Sequence, residues 1–469
     1  MFGRVSKVHF VGIGGIGMSG IAEVLLTLGH KVSGSDVKAS AVTRRLEPLG
    51  ARICIGHAAA NLDDADVVVY SSAVKSDNPE LVAARDKKIP VIPRAEMLAE
   101  LMRLKFSIAV AGAHGKTTTT SLVATMLARA GLDPTIVVGG RLLAMGTNAK
   151  LGRGEHLVAE ADESDGSFLS LFPTIAVVTN IDAEHLDHYA NLQAIMDAFV
   201  LFTNKVPFYG AAVLCLDDPN VQAIIPRLVK RTLTYGMTSQ ADVTGRIVES
   251  SDGGSRFEVT WHGKPIGEAR IRMPGEHNVL NALAAITVGL ELEIPFSTIA
   301  SALHEFLGVA RRFEIRAVER DVVFVDDYGH HPTEIMATLR AAKRNYARRL
   351  VVVFQPHRYS RTHHLMGEFG RAFFDADVLY LADIYAASER LSDYPDVSSE
   401  TLARTIREHG HKNVHYAGDK EQLTDQVASS IQSGDLVLTL GAGDVTSWND
   451  DIVEKWRRRV GASVPGASA

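Results

Sequence analysis

The sequence predicts an α/β protein built from three successive units, and three observations carry that expectation. A glycine turn, Gly12-Ile13-Gly14-Gly15-Ile16-Gly17, follows a short β-like run and opens a helical one. A second glycine loop, Gly112-Ala113-His114-Gly115-Lys116-Thr117-Thr118, recurs further on in the same strand-loop-helix setting. From about residue 314, strand-like and helical stretches alternate almost to the end, the pattern of a parallel, doubly wound sheet. A chain of 469 residues suggests about three domains, and 46% hydrophobic with 22% charged residues is ordinary globular composition with ample core.

Charge and cysteines narrow the function classes. With 49 basic and 55 acidic side chains the net charge is -6, which leaves no electrostatic footprint for nucleic acid or an anionic membrane. Cys54 and Cys215 lie far apart and form no metal spacing, as expected in a reducing compartment. Arg4 and Lys7 precede an apolar stretch, but glycines interrupt it and Glu23 enters before a membrane span could accumulate. The expectation is a cytoplasmic protein with no membrane insertion, monomer or dimer being left open.

In the first unit, Lys7-Val8-His9-Phe10-Val11 reads as a strand leading into the glycine turn and a helix that ends at about Leu28. A second strand, 31–36, closes on Asp36, about 20 residues on, where a ribose-binding acid stands in dinucleotide folds. A third is read at 67–72, ending in Ser71-Ser72, and a fourth at 89–94, before a helix over 95–102. Such a turn binds a pyrophosphate whatever nucleoside is attached, so UDP-sugar fits as well as NAD.

The second unit opens on the apolar run Ile108-Ala109-Val110 and the second glycine loop. Small residues let backbone N–H groups approach a polyphosphate, the helix N-terminus favours negative charge, and Lys116 with Thr117 supplies a counter-charge and a hydroxyl for Mg²⁺. This is a nucleoside triphosphate cradle in shortened form, because the standard pattern has a further glycine ahead of Gly112 that this chain lacks. The fold class is therefore α/β with three domains: a Rossmann-like N-terminal domain over 1–104, a central P-loop-type ATPase α/β domain over 105–313 and a C-terminal doubly wound α/β domain over 314–469.

Further along, the strand 156–159 delivers Glu160, followed by Asp162, Glu163 and Asp165. Carboxylates at a strand end near a phosphate loop hold or position Mg²⁺. Glu160, closing the strand, fits that role best; the other three read equally as a solvated acidic turn. Another strand, 174–180, leads to Asp182, Glu184 and His185, and a lone loop histidine is more often structural than a ligand. Between 199 and 271 only β-like pieces stand out, and no chemistry. Asn278 and Asn281 share one face of a helix at i, i+3, where they can read a base edge or cap the first turn. Arg312, in a basic junction at 308–313, can reach phosphate or pair with surface acids.

In the third unit, three polar segments fall at strand ends, where open α/β sheets bind ligands: Asp326-Asp327-Tyr328-Gly329-His330-His331, Gln355-Pro356-His357-Arg358-Tyr359-Ser360-Arg361 and Asp383-Ile384-Tyr385. Arg358 and Arg361 suit a carboxylate, which a guanidinium binds bidentately.

In this order, over 8–456, the motifs resemble those of the Mur ligases, the ATP-dependent amide-bond-forming enzymes of peptidoglycan precursor synthesis. The resemblance implies ATP and Mg²⁺ as cofactors. It places ATP phosphates on Gly112, Ala113, His114, Gly115, Lys116, Thr117 and Thr118, and Mg²⁺ on Thr117, Glu160 and His185. Asn278 and Asn281 would share adenine, Arg312 would take phosphate and Asp327 ribose. Gly14, Gly15, Ile16 and Gly17, with Asp36, Ser71 and Ser72, would hold the UDP-sugar. Tyr328, His330, Arg358 and Arg361 would bind the amino acid. The implied reaction joins L-alanine to the lactyl carboxylate of UDP-N-acetylmuramate through an acyl phosphate, with Lys116, Glu160, His185 and His330 as the catalytic set and His330 as a guess for the base. Relatives acting on later amino acids carry a carbamylated lysine where this chain has Phe199-Val200-Leu201, so none is expected here. Two rivals are a recycling ligase that joins a tripeptide to the same UDP-sugar and an NAD-dependent oxidoreductase; the latter leaves the second glycine loop idle.

Overall fold

The computed structural model describes residues 5–71, 73–138, 149–185, 188–387 and 389–462. The chain divides into two compact units: Met1–Arg246 with Phe257–Arg270 and Val279–Leu307, and Ile247–Arg256 with Ile271–Asn278 and Gly308–Ala469.

The first unit begins with a five-stranded sheet of β1 (Lys7–Val11), β2 (Lys31–Asp36), β3 (Arg52–Ile55), β4 (Val67–Tyr70) and β5 (Val91–Pro93), in the order β3-β2-β1-β4-β5. Every neighbouring pair is parallel. The strand read as third from the sequence is thus the fourth. The extra one, β3, is a four-residue edge strand with no fully buried position, so it lacks the apolar signature that marks β1 and β4. Helices Ile16–Thr27 and Arg94–Met102 add Met18, Ile21, Leu25, Leu98 and Leu101 to the core around Phe10 and Val69.

A second sheet comprises β6 (Phe106–Ala111), β7 (Thr135–Val137), β8 (Ala149–Lys150), β9 (His156–Glu160), β10 (Ile175–Val178), β11 (Ala211–Cys215), β12 (Thr232–Gly236), β13 (Val243–Ser251), β14 (Gly254–Trp261) and β15 (Lys264–Ile271). Its order is β15-β14-β13-β12-β11-β10-β6-β9-β7-β8. Strand β6 lies at its heart, paired parallel with β9 on one side and β10 on the other. Its residues Ile108, Ala109, Val110 and Ala111 are wholly buried, as are Ile175, Ala176, Val177 and Val178 of β10, because helices cover both faces of a parallel sheet and every position must then be apolar. The strands β13 to β15 are the vague β-like region of the sequence.

The second unit carries a six-stranded sheet of β16 (Glu314–Glu319), β17 (Val322–Asp327), β18 (Arg349–Phe354), β19 (Val378–Ala382), β20 (Val414–Gly418) and β21 (Asp435–Leu440), in the order β16-β17-β21-β18-β19-β20. Along β18, Leu350, Val352 and Phe354 join one core, and Val351 and Val353 the other, on opposite faces. The sheet departs from the all-parallel expectation at one edge. There β16 pairs antiparallel with β17 through a two-residue turn whose central residues, Arg320 and Asp321, have φ of 48° and 64°. That is the left-handed geometry of a tight hairpin, reached without the Asn-Gly signature that would have announced it. Among the described residues no helix is long and apolar enough to cross a membrane.

Candidate functional site

Three neighbouring strands of the second sheet bring their carboxyl ends together, and the sequence-predicted residues of the central domain gather there. The chain leaves β6 at Gly112, which has φ 133° and where a Cβ would stand 2.0 Å from Thr179 Oγ1. Gly115, at φ 81°, precedes helix Lys116–Arg129, and its Cβ would meet Asn281 Oδ1 at 2.4 Å. Only glycine fits either place.

The segment after β10 braces the loop. Ala113 N donates to Asn180 O at 3.2 Å and His114 N to Asn180 Oδ1 at 2.8 Å. Thr179 Oγ1 and Asn180 Nδ2 donate to His114 O at 2.6 and 3.0 Å, and His114 Nε2 lies 3.1 Å from Asp182 Oδ2. The N–H groups of Ala113 and His114, expected at phosphate, are therefore engaged with Asn180. The first turn of the following helix is left as the anion-facing part of the cradle.

Lys116 is half-buried, with its Nζ turned inward. It donates to Gly112 O at 2.6 Å, to Ala113 O at 3.2 Å and to both oxygens of Glu163 at 2.8 and 3.0 Å. Burial alone would favour the neutral amine, but the carboxylates of Glu163, Asp162 and Glu160 hold its pKa above the ordinary lysine value. Thr117 directs its hydroxyl to Glu160, 3.1 Å from each oxygen. His185, at φ 55°, sets Nε2 3.6 Å from Glu163 Oε1 and 3.5 Å from Glu184 Oε2. Glu163, Glu184 and His185 offer ligand atoms all within 4.8 Å of one another. Asn281 accepts from Thr119 Oγ1 at 3.2 Å, so its amide is tied to the helix behind the loop.

The first glycine turn is built differently. Gly12 N and Ile13 N both donate to Ser35 O, and Gly14 N donates to Asp36 Oδ2 at 2.8 Å. Asp36, expected on a ribose, is turned onto the loop itself. Gly15 and Gly17 follow at the start of helix Ile16–Thr27, and Ser71 stands beside Gly12, its Cβ 3.3 Å from where a Cβ of Gly12 would lie. Ser72 lies outside the described residues.

In the second unit, Asp327 is buried at the end of β17 and accepts from Phe313 N and Gly329 N, each at 2.8 Å. Desolvation pushes its pKa up to about 6, against the pull of Arg312 and those two N–H groups. Arg312 lies 3.6 Å from Glu334 and covers the Tyr328 ring at 5.2 Å. His330 Nδ1 sits 3.0 Å from Tyr328 O; a carbonyl only accepts, so the proton is on Nδ1 and Nε2 is left as acceptor. Burial, then the charge of Arg361, holds His330 neutral, well below the usual histidine value. Arg361 Nη1 lies 3.3 Å from His357 Nδ1, and the same two causes push His357 down to about 4. His357 stacks on Tyr385 at 5.6 Å and meets the His330 ring at 5.9 Å. Arg358 opens helix Tyr359–His364 with φ 71°. Asn278, at the start of helix Glu276–Glu291, donates to Pro274 O at 2.8 Å, which ties its amide to the turn before the helix.

Three family models match the chain in order: the catalytic domain of the Mur ligase family over 7–106, the Mur ligase middle domain over 110–289, and the glutamate ligase domain of the Mur ligases over 311–443. The chain belongs to the Mur ligase family. Among curated relatives, the UDP-N-acetylmuramate–L-alanine ligase of Syntrophotalea carbinolica is 59% identical over 459 residues, 98% of this chain and all of that one. The namesake from Myxococcus xanthus is 56% identical, with 97% and 96% of the two chains covered. Among solved structures, the UDP-N-acetylmuramate-alanine ligase of Thermotoga maritima matches with TM-score 0.81 at 30% identity over 97% of this chain and 99% of that chain.

Several residues of this Mur ligase escaped the sequence reading as contributors. Glu163 read equally as a solvated acid, yet it is buried against Lys116. Asn180, which braces the loop, carried only the signal of ending a strand. His357, quoted within a motif, had no role until its contacts with Arg361, Tyr385 and His330 were seen. Arg94, at the end of β5, gave no signal beyond its place.

Proposed function

We propose that this Mur ligase joins L-alanine to the lactyl carboxylate of UDP-N-acetylmuramate, using ATP and releasing ADP and phosphate, in the cytoplasm. The observation that carries the reading is full-length similarity, at 56–59% identity, to relatives named for that reaction. The domains implied are 1–104 for the UDP-sugar, 105–313 for ATP and 314–469 for the amino acid.

A carboxylate oxygen of the sugar attacks the γ-phosphorus, the bond to the β-phosphate oxygen breaks, and an acyl phosphate forms with ADP as leaving group. The alanine nitrogen then attacks the acyl carbon, the carbon–oxygen bond to phosphate breaks and the amide remains. Lys116 swings from Glu163 to the triphosphate and stabilises charge on the transferring group. Thr117 and Glu160, hard oxygen donors already 3.1 Å apart, suit Mg²⁺, with Glu163, Glu184 and His185 as a further donor group; the ion would supply charge neutralisation at the phosphates. In the second unit Arg358 and Arg361 hold the alanine carboxylate, and His330 Nε2 takes the proton the amine must lose. Asn278 and Asn281 serve adenine, Arg312 phosphate and Asp327 ribose.

An assay of ADP release against a panel of amino acids and tripeptides tests the reading. Release that requires both UDP-N-acetylmuramate and L-alanine supports it. Release driven by a tripeptide in place of alanine contradicts it.

A further inference from the structure

Arg94 stands where β5 gives way to helix Arg94–Met102. Because β5, β4 and β1 are consecutive parallel neighbours, Arg94 and the glycine turn emerge from the same carboxyl edge of the sheet. The strand order reverses between β1 and β4, which is where open α/β sheets take their ligands. The guanidinium reaches the turn: a Cβ built on Gly17 would meet Arg94 Nη1 at 2.7 Å, Cδ at 3.2 Å and Cζ at 3.4 Å. Gly17 is helical and has no positive φ, so backbone geometry does not call for glycine there. A side chain there would have to displace the Arg94 guanidinium.

This placement is electrostatically incomplete. Helix Ile16–Thr27 starts beside the guanidinium with no side-chain cap and no acidic residue in its first turn, so its N–H groups present partial positive charge to a full one. Among the described residues the ion-pair partner of Arg94 is Asp162, at 3.7 Å, beyond hydrogen-bond length. Asp162 follows Glu160 at the end of β9 and also feels the charge of Lys116.

We propose that Arg94 binds the diphosphate of the sugar nucleotide together with the N–H groups of the first turn of helix Ile16–Thr27, those of Gly12 to Gly15 being engaged within the turn, and that Asp162 is a positioning residue that keeps the guanidinium over Gly17. The inference rests on the UDP-sugar reading of the first domain. A fork of N–H donors matches two phosphate oxygens, and a diphosphate supplies negative charge to the uncapped helix end and closer partners to a guanidinium that Asp162 meets only at 3.7 Å.

Calorimetric titration of the full chain with UDP-N-acetylmuramate, UDP, uridine and ATP tests it. Charge-assisted hydrogen bonds of this type predict that Arg94→Ala weakens both diphosphates by about 30-fold while uridine and ATP change by less than about 2-fold. Arg94→Lys should restore part of the loss, and Asp162→Asn, which leaves the guanidinium present but unheld, should weaken both diphosphates by about 3-fold with uridine unchanged. Unchanged UDP affinity in Arg94→Ala would overturn the proposal. So would an equal loss for uridine, ATP and UDP in both variants, which would mark the ion pair as purely structural. If wild-type protein bound ATP but neither UDP nor the UDP-sugar, the functional reading itself would fall, a result separable from any effect of the substitutions.

Discussion

The two glycine loops of the first unit follow the same local grammar, strand then glycine turn then helix, yet they are furnished for different work. The turn after β1 has no lysine of its own and is tied back by Asp36, a carboxylate from the neighbouring strand. The loop after β6 carries Lys116 and Thr117, is fastened by Thr179 and Asn180, and faces Glu160 and Glu163. A loop that only holds a diphosphate needs geometry and an outside cation. One that transfers a phosphoryl group, as proposed for the second loop, needs a charge of its own, and the buried Glu163 is where the Lys116 ammonium is held in this structure.

The sharpest way to break the comparison is Lys116→Ala. It should lower kcat by about 1000-fold or more in an ADP-release assay while UDP-sugar affinity is retained. Equal loss of UDP-sugar binding would erase the distinction between the loops. Next is Gly112→Ala, where a Cβ falls 2.0 Å from Thr179 Oγ1 at φ 133°. Urea unfolding should show a loss of about 3 kcal/mol. Gly14→Ala is milder, because its Cβ meets the movable Asp36 carboxylate at 2.7 Å, and about 1 kcal/mol is expected with a raised KM for the UDP-sugar.

The smallest effect is on pH dependence. Glu80, behind the first turn, is buried; burial would raise its pKa, but the His9 ring 3.7 Å away and hydrogen bonds from Ser35 and Asn61 prevail and hold it at about 2 instead of 4.5. A depressed carboxylate contributes stability above its unfolded value and loses it as pH falls through the folded one. The stability gap between wild type and Glu80→Gln, read by urea unfolding, should therefore be constant above pH 4.5 and shrink toward pH 2. Lys116, whose pKa is raised, keeps its contribution throughout that range and loses it only in strong alkali.

Both loops were legible in the sequence because strand, glycine turn and helix lie within a few residues of one another. What sits across them was not. Asn180 reaches the second loop over 66 residues and Glu163 reaches Lys116 over 47, distances at which periodicity and spacing carry no information. Asp36 stood where a ribose acid stands, and only its bond to Gly14 shows its engagement with the loop. Strand β3 was too short and too exposed to register. The hairpin of β16 and β17 used Arg320 and Asp321 in a turn that usually advertises itself with glycine. In the second unit the polar strand ends were read correctly as a cluster, but the coupling of His330, His357 and Arg361 is a matter of side-chain direction, which sequence alone does not give.

The central claim is that the terminal phosphate of ATP, cradled at Lys116, is transferred to a carboxylate of the sugar nucleotide. It is tested most directly by turning over UDP-N-acetylmuramate labelled with ¹⁸O in its lactyl carboxylate and analysing the released phosphate by mass spectrometry. The account predicts one labelled oxygen in each phosphate formed. Unlabelled phosphate accompanying normal amide formation would contradict it.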